Sequence, residues 1–200
     1  IDITAVDPQP ILRPASLTVG PGETAVYDLK TLTTWQWKED WAGLVYAIGA
    51  ASPSFTLSLD ATMLSVTAID RAVPGTEESI VVSVTSHPSV APTRITLRVG
   101  AAPSTLPSAG TLAQQCTQAS GSSCTFSVAG ASGSVNPLPR TPLELVDVRA
   151  TGACVGVSFS VASASSVTAS WTTDSPAATC AAAFTMRDAQ GRTTAGDRDG

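Results

Sequence analysis

The sequence predicts an all-β chain built as two tandem Greek-key β-sandwiches, and three observations carry that reading. Apolar and polar residues alternate with a period of two in run after run, the mark of half-buried antiparallel strands. Turn clusters such as "VGPGET", "AASPS", "VPGTEE" and "SHPSVAPT" separate those runs at roughly the 8–12-residue spacing of a sandwich. Ala, Ser, Thr and Val dominate the 200 residues, while Lys and Asn are scarce, a composition suited to short strands.

In the first half, "FTLSLD" places Phe55, Leu57 and Leu59 on one face against Thr56, Ser58 and Asp60. "RITLRV" does the same with Ile95, Leu97 and Val99 against Arg94, Thr96 and Arg98. Strands are expected at 15–19, 24–29, 44–48, 55–59, 63–69, 79–85 and 93–99, enough for one sandwich over residues 1–99. "GAAPSTLPSAG" then has no periodicity and reads as a linker over 100–110. Residues 111–200 resume the pattern in "TLAQQCT", "CTFSVAG", "LELVDVRA", "CVGVSFSV", "SVTASWTT" and "CAAAFTMRD". Trp171 shares a face with Val167 and Ala169, as a core Trp would. These six runs precede the polar "GRTTAGDRDG", so the second domain is read as small or as lacking its last strand. No leader is expected, Ile1 already reading as mature chain.

Charge and cysteine usage narrow the function. Eleven basic and sixteen acidic residues are scattered to a net −5. There is thus no basic stripe for nucleic acid and no polybasic amphipathic segment for an anionic membrane. No apolar run is long enough to insert into a bilayer. Cys116, Cys124, Cys154 and Cys180 all lie in the second half, without a C-x-x-C pair and with a single His in the chain, which argues for disulfides over zinc. Of the three pairings open to four cysteines, Cys116–Cys124 and Cys154–Cys180 are favoured because each pair flanks a hairpin or neighbouring strands. Loop closure would contribute at most about 2.6 and 3.6 kcal/mol respectively. If the alternation of Val155, Val157, Phe159 and Val161 includes Cys154, its thiol points away from the core unless a bulge near Gly152 or Gly156 re-aims it. Disulfides imply an extracellular, secreted or cell-surface location.

The run from "TAVYDLKTL" to "RITLRVG" resembles the cadherin-like and immunoglobulin-like repeats strung along large bacterial surface proteins. Those repeats carry a "D-G-T-L-T-V" turn and a late "P-G-T", matched here by "LDATMLSVTA" and "VPGTEESIVVSV". The resemblance covers residues 1–99 and implies an immunoglobulin-like sandwich acting as a spacer or adhesive segment beside neighbouring repeats. Many such repeats bind calcium through an acidic loop whose place is taken here by "WQWKEDWAG", where Glu39 and Asp40 are the only carboxylates. Calcium needs six to eight oxygens, so no cofactor is expected. A calcium alternative would use Glu39 and Asp40, or Asp197 and Asp199 in the terminal "DRDG".

Three of the four tryptophans, Trp35, Trp37 and Trp41, fall within seven residues. On an extended segment Trp35 and Trp37 share a face and could stack a sugar or a peptide. The competing reading has one or two of the rings plugging the end of the sandwich while Trp41 begins the next strand. His87 precedes Pro88 in a turn, with no nucleophile elbow in the chain, and reads as a solvated loop residue rather than a catalytic base. Glu77 and Glu78 are adjacent and so point to opposite faces of a strand, which disfavours a paired-carboxylate hydrolase. The expectation is a non-catalytic extracellular spacer or interaction module with a protein or glycan ligand. The alternative is a carbohydrate-binding module centred on the tryptophans.

Overall fold

In a computed structural model of the chain, the residues described are 8–37, 39–49, 52–117, 121–172 and 178–193. Among the described residues the fold is all-β, with five sheets and helix only as two short 3-10 turns at Leu29–Leu32 and Glu39–Gly43. The chain divides into two compact units, Ile1–Ala102 and Pro103–Gly200.

In unit 1, β1 (Ile11–Leu12) pairs with β4 (Thr33–Thr34). The main sheet has the order β2-β9-β8-β5, from β2 (Ala15–Val19), β9 (Thr93–Val99), β8 (Glu77–Val84) and β5 (Tyr46–Gly49). β2 runs parallel to β9; the other neighbours are antiparallel. A second sheet has the order β3-β7-β6, from β3 (Thr24–Asp28), β7 (Met63–Ala68) and β6 (Phe55–Asp60). The period-two pattern does the work expected of it: Ile95, Leu97 and Val99 are buried while Arg94 and Arg98 face out. Those side chains join Ile80 and Val82 of β8 and Leu64 and Val66 of β7 in one core shared by both sheets. Each such burial is worth about 1.5–3 kcal/mol against leaving the side chain in water.

Gly22, Ala61 and Gly75 give three turns of unit 1 a positive φ, and two of these turns follow sequence motifs named above. "VPGT" closes with Thr76 N donating to Val73 O at 3.1 Å, and Gly75 supplies the positive φ of 87° that such a Pro-Gly turn requires. The hairpin between β6 and β7 pairs Asp60 with Met63, leaving Ala61 and Thr62 as a two-residue loop. Here Ala61 adopts φ 51°, a left-handed conformation that favours Gly. Ala61 stands in the "D-A-T" that matches the "D-G-T" of the resembling repeats.

In unit 2, β10 (Ser123–Ser127), β13 (Ser166–Trp171) and β12 (Val157–Ser163) form a sheet of order β10-β13-β12. β11 (Glu144–Ala150) and β14 (Ala182–Arg187) form a second, antiparallel pair. Of the six expected strands the first is absent: "TLAQQCT" makes only a single bridge, Thr111 with Ser132. The buried core is small, comprising Val128, Leu145, Val167 and Met186, with Phe126, Val148, Phe159 and Phe184 only partly covered around it. Beyond β14 a tight turn is held by Asp188, which is fully buried. Its Oδ1 accepts from the backbone N–H groups of Gln190 and Arg192, and its Oδ2 from Arg192 Nε at 2.8 Å. Arg192 also donates to the Pro103 carbonyl at the start of the unit.

Candidate functional site

The tryptophan cluster does not form a shared face. Trp35 follows β4 and turns inward, 9% exposed and part of the unit 1 core. Its indole N–H donates to Pro8 O at 2.7 Å, and its ring meets the His87 ring edge to face at a centroid distance of 5.0 Å. The chain bends at Gln36, which breaks the two-residue repeat, and Trp37 emerges 42% exposed. Trp41 does not begin a strand. It lies in the second 3-10 turn, whose end is closed by Leu44 N donating to Trp41 O, and its ring packs partly buried against the core. The three rings are therefore one plug, one exposed ring and one intermediate. The extended geometry a platform needs fails at Gln36.

Glu39 and Asp40 open the same 3-10 turn as exposed side chains. Among the described residues no three His, Cys, Asp or Glu side chains gather as metal ligands would. Asp197 and Asp199 lie outside the described residues. Glu77 and Glu78 diverge: Glu77 approaches Arg98 at 3.8 Å on the surface, whereas Glu78 reaches the loop before β6. There Glu78 accepts from the Ser52 hydroxyl and from Ser54 N, while Ser52 Oγ accepts from Phe55 N. Burial alone would raise the Glu78 carboxyl. The hydrogen bonds from Ser52 and Ser54 outweigh it and bring it below its ordinary value. His87 is half-buried rather than solvated, with Nδ1 3.1 Å from the hydroxyl of its neighbour Ser86 and its ring against Trp35. That is a packing role.

Of the cysteines, Cys116 and Cys124 are joined by a disulfide. Cys154 and Cys180 are thiols in this structure, so the second expected bridge is not formed. Cys154 precedes β12, in a turn containing Gly156 at φ 73°, and leaves the alternation of that strand. Its Sγ approaches Ala181 O at 4.0 Å, beside Cys180. A hydrogen bond with Cys154, with smaller effects of burial and of the Cys154 charge, raises the Cys180 thiol above its usual range.

The feature that sequence reasoning missed is a cavity of about 430 Å³ in unit 2. Phe126, Phe159, Trp171 and Phe184 line it, with Val148 and Cys180 among the other wall residues. All four aromatic rings sit on strands and point between the two sheets, yet none is fully buried.

No family model and no curated protein matches the chain by sequence. Among solved structures, an endo-fucoidan hydrolase of glycoside hydrolase family 107 (MfFcnA4) aligns with a TM-score of 0.40 and 13% identity, over 92% of this chain and 27% of that one. The ectodomain of human desmocollin-1 aligns at 0.36 and 11% identity, over 96% of this chain and 36% of that one. The chain thus spans about a third or less of the length of these proteins. Among the described residues no helix is long and apolar enough to cross a membrane.

Chemically, these polar side chains act on the fold. Glu78 holds a loop, His87 and Trp35 close one end of a core, and Asp188 with Arg192 fixes a turn.

Proposed function

We propose that the chain is a non-catalytic extracellular structural or adhesive module of a bacterial surface or secreted protein, composed of two immunoglobulin-like β-sandwiches. The observation that carries the reading is the construction of unit 1. Its four-stranded and three-stranded sheets close on a core whose central side chains are wholly buried, and the first strand of the main sheet lies parallel to the last. A domain filled in this way serves as a rigid body that positions what it is joined to. The Cys116–Cys124 bridge favours an oxidising compartment. The inward turn of Trp35 counts against the carbohydrate-binding alternative, because it leaves Trp37 without a second ring on its face.

Glycan arrays and retention on immobilised polysaccharides test the reading. A spacer gives no signal above background. Glycan retention that is lost on Trp37→Ala would replace it with the carbohydrate-binding alternative.

A further inference from the structure

The two cysteines outside the disulfide are brought together where three strands of unit 2 end or begin. β11 ends its pairing with β14 at Ala150 opposite Ala182, and one further bond, from Thr151 N to Ala181 O at 3.0 Å, carries the ladder into the turn that follows. That turn holds Cys154. It is closed by Val157 N donating to Cys154 O at 3.3 Å, Gly156 supplies its positive φ of 73°, and it delivers the chain to β12 in the other sheet. Cys180 stands just ahead of β14, which begins at Ala182. Cys154 thus faces the lead into β14: its Sγ lies 4.0 Å from Ala181 O and is hydrogen-bonded to the Cys180 thiol.

Three features make this pair a place for exchange chemistry. Both cysteines are partly exposed, so a small reagent reaches either sulfur. Both lie outside the regular strands, so a bond between them breaks no ladder. Val157 at the start of β12, and Cys180 and Ala182 at the start of β14, belong to the wall of the cavity. The thiols therefore meet where the two sheets approach each other beside it.

We propose that Cys154 and Cys180 are a redox site, a dithiol that low-molecular-weight disulfides close and low-molecular-weight thiols reopen, and that its closure ties the two sheets of unit 2 together beside the cavity. The Cys154 thiolate attacks one sulfur of the disulfide RSSR, forms a mixed disulfide and expels RS⁻, which takes up a proton. Until then the hydrogen bond with Cys154, with smaller effects of burial and of the Cys154 charge, holds the proton on Cys180. The mixed disulfide carries no charge and is a poor acceptor, so Cys180 ionises and attacks Cys154 Sγ. The S–SR bond breaks and a second RS⁻ leaves and is protonated. The protein has lost two protons and two electrons, and RSSR has become two RSH. Because the second step is intramolecular, the high effective concentration of the neighbouring sulfur favours closure. The inference goes beyond the structural-module reading and does not depend on it.

The test uses the whole chain with the Cys116–Cys124 bridge intact. It is equilibrated in glutathione buffers from reduced to oxidised and back, alkylated with iodoacetamide and mapped by peptide mass. The expected result is a linked Cys154–Cys180 peptide that rises with oxidised glutathione and returns to two alkylated thiols at ratios where Cys116–Cys124 stays closed. Cys180→Ser should stop at a glutathione adduct on Cys154, and Cys154→Ser should form no bridge. Amides at the starts of β12 and β14 should exchange with deuterium at least tenfold more slowly in the closed form. Two alkylated thiols at every ratio overturn the proposal, as does a bridge from Cys154 or Cys180 to Cys116 or Cys124. A link that reopens only after Cys116–Cys124 has opened makes the pair a permanent cross-link and overturns its reversibility. Unchanged deuterium exchange on closure overturns the tie between the sheets.

Discussion

The indole of Trp35 stands edge-on to the His87 imidazole, 5.0 Å between centroids and 77° between planes, and this contact decides the character of the tryptophan cluster. It ties the segment after β4 to the turn after β8 and removes one of the three indole rings from solvent. Trp35→Ala is expected to destabilise unit 1 by about 3–5 kcal/mol, as loss of a buried aromatic does. Trp37→Ala is expected to stay within about 0.5 kcal/mol of the parent, as exposed positions do. Urea unfolding separates the two. Acrylamide should quench the fluorescence component that Trp37→Phe removes and spare the one that Trp35→Phe removes.

Ala61 holds a left-handed conformation in the β6–β7 hairpin. Replacing it with Gly removes a strain of about 1–2 kcal/mol against an entropic cost of about 0.5–1 kcal/mol, for a net gain of up to about 1.5 kcal/mol. Calorimetry should show a raised unfolding temperature for Ala61→Gly. A fall would mean that the loop is not strained.

Glu78 gives the fold an acid-sensitive tie. Its carboxyl lies below the ordinary value of 4.5, because the Ser52 and Ser54 hydrogen bonds overcome the effect of burial. A depressed folded value means that the stabilisation is present above the unfolded value and is lost as pH falls through the folded one. The parent protein should therefore lose more stability than Glu78→Gln between pH 5 and pH 3 in paired urea titrations. Equal losses would show that the tie contributes nothing.

Tyr46 gives an alkaline counterpart. Burial raises its phenol above 10.0, the charge of Asp28 adds to that, and the hydrogen bond with Thr33 Oγ1 at 2.6 Å acts in the opposite direction. With the folded value raised, the stabilisation is intact below pH 10 and fades as pH climbs through the folded value. Thr33→Val strands the phenol hydroxyl and should cost about 1–3 kcal/mol at neutral pH. Phenolate absorbance of the parent should show a late-titrating step that Tyr46→Phe abolishes.

Asp188 and Arg192 bind the turn after β14 to the entry of unit 2. Removing one partner of a buried pair leaves the other charge uncompensated, so Asp188→Asn is expected to destabilise unit 2 by about 3–5 kcal/mol. Exposed Arg149, paired with Asp147 at the surface, is the control: Arg149→Ala should cost about 1 kcal/mol or less. Calorimetry of the two variants makes the comparison.

The strands were legible because each carries its own evidence. The expected 15–19, 24–29, 55–59, 63–69 and 93–99 differ from β2, β3, β6, β7 and β9 by at most one residue at an end. The reasoning that favoured Cys116–Cys124 favoured Cys154–Cys180 equally, and only the first bridge is formed. Legibility failed where the answer depends on a neighbour. Trp35 and Trp37 look equivalent at a spacing of two, and only the bend at Gln36 separates them. "TLAQQCT" has a strand-like composition but makes no strand. Trp171 reads as core because alternation marks an inward face, whether or not anything fills the space that face looks into.

The parallel course of β2 and β9 bears on what happens when the two ends of unit 1 are drawn apart. Five residue pairs, from Ala15 with Ile95 to Val19 with Val99, join the first and last strands of the sheet. Tension entering ahead of β2 and leaving after β9 runs along both strands in opposite senses, so their hydrogen bonds bear it together in shear. An antiparallel pairing of the same length would peel open one bond at a time.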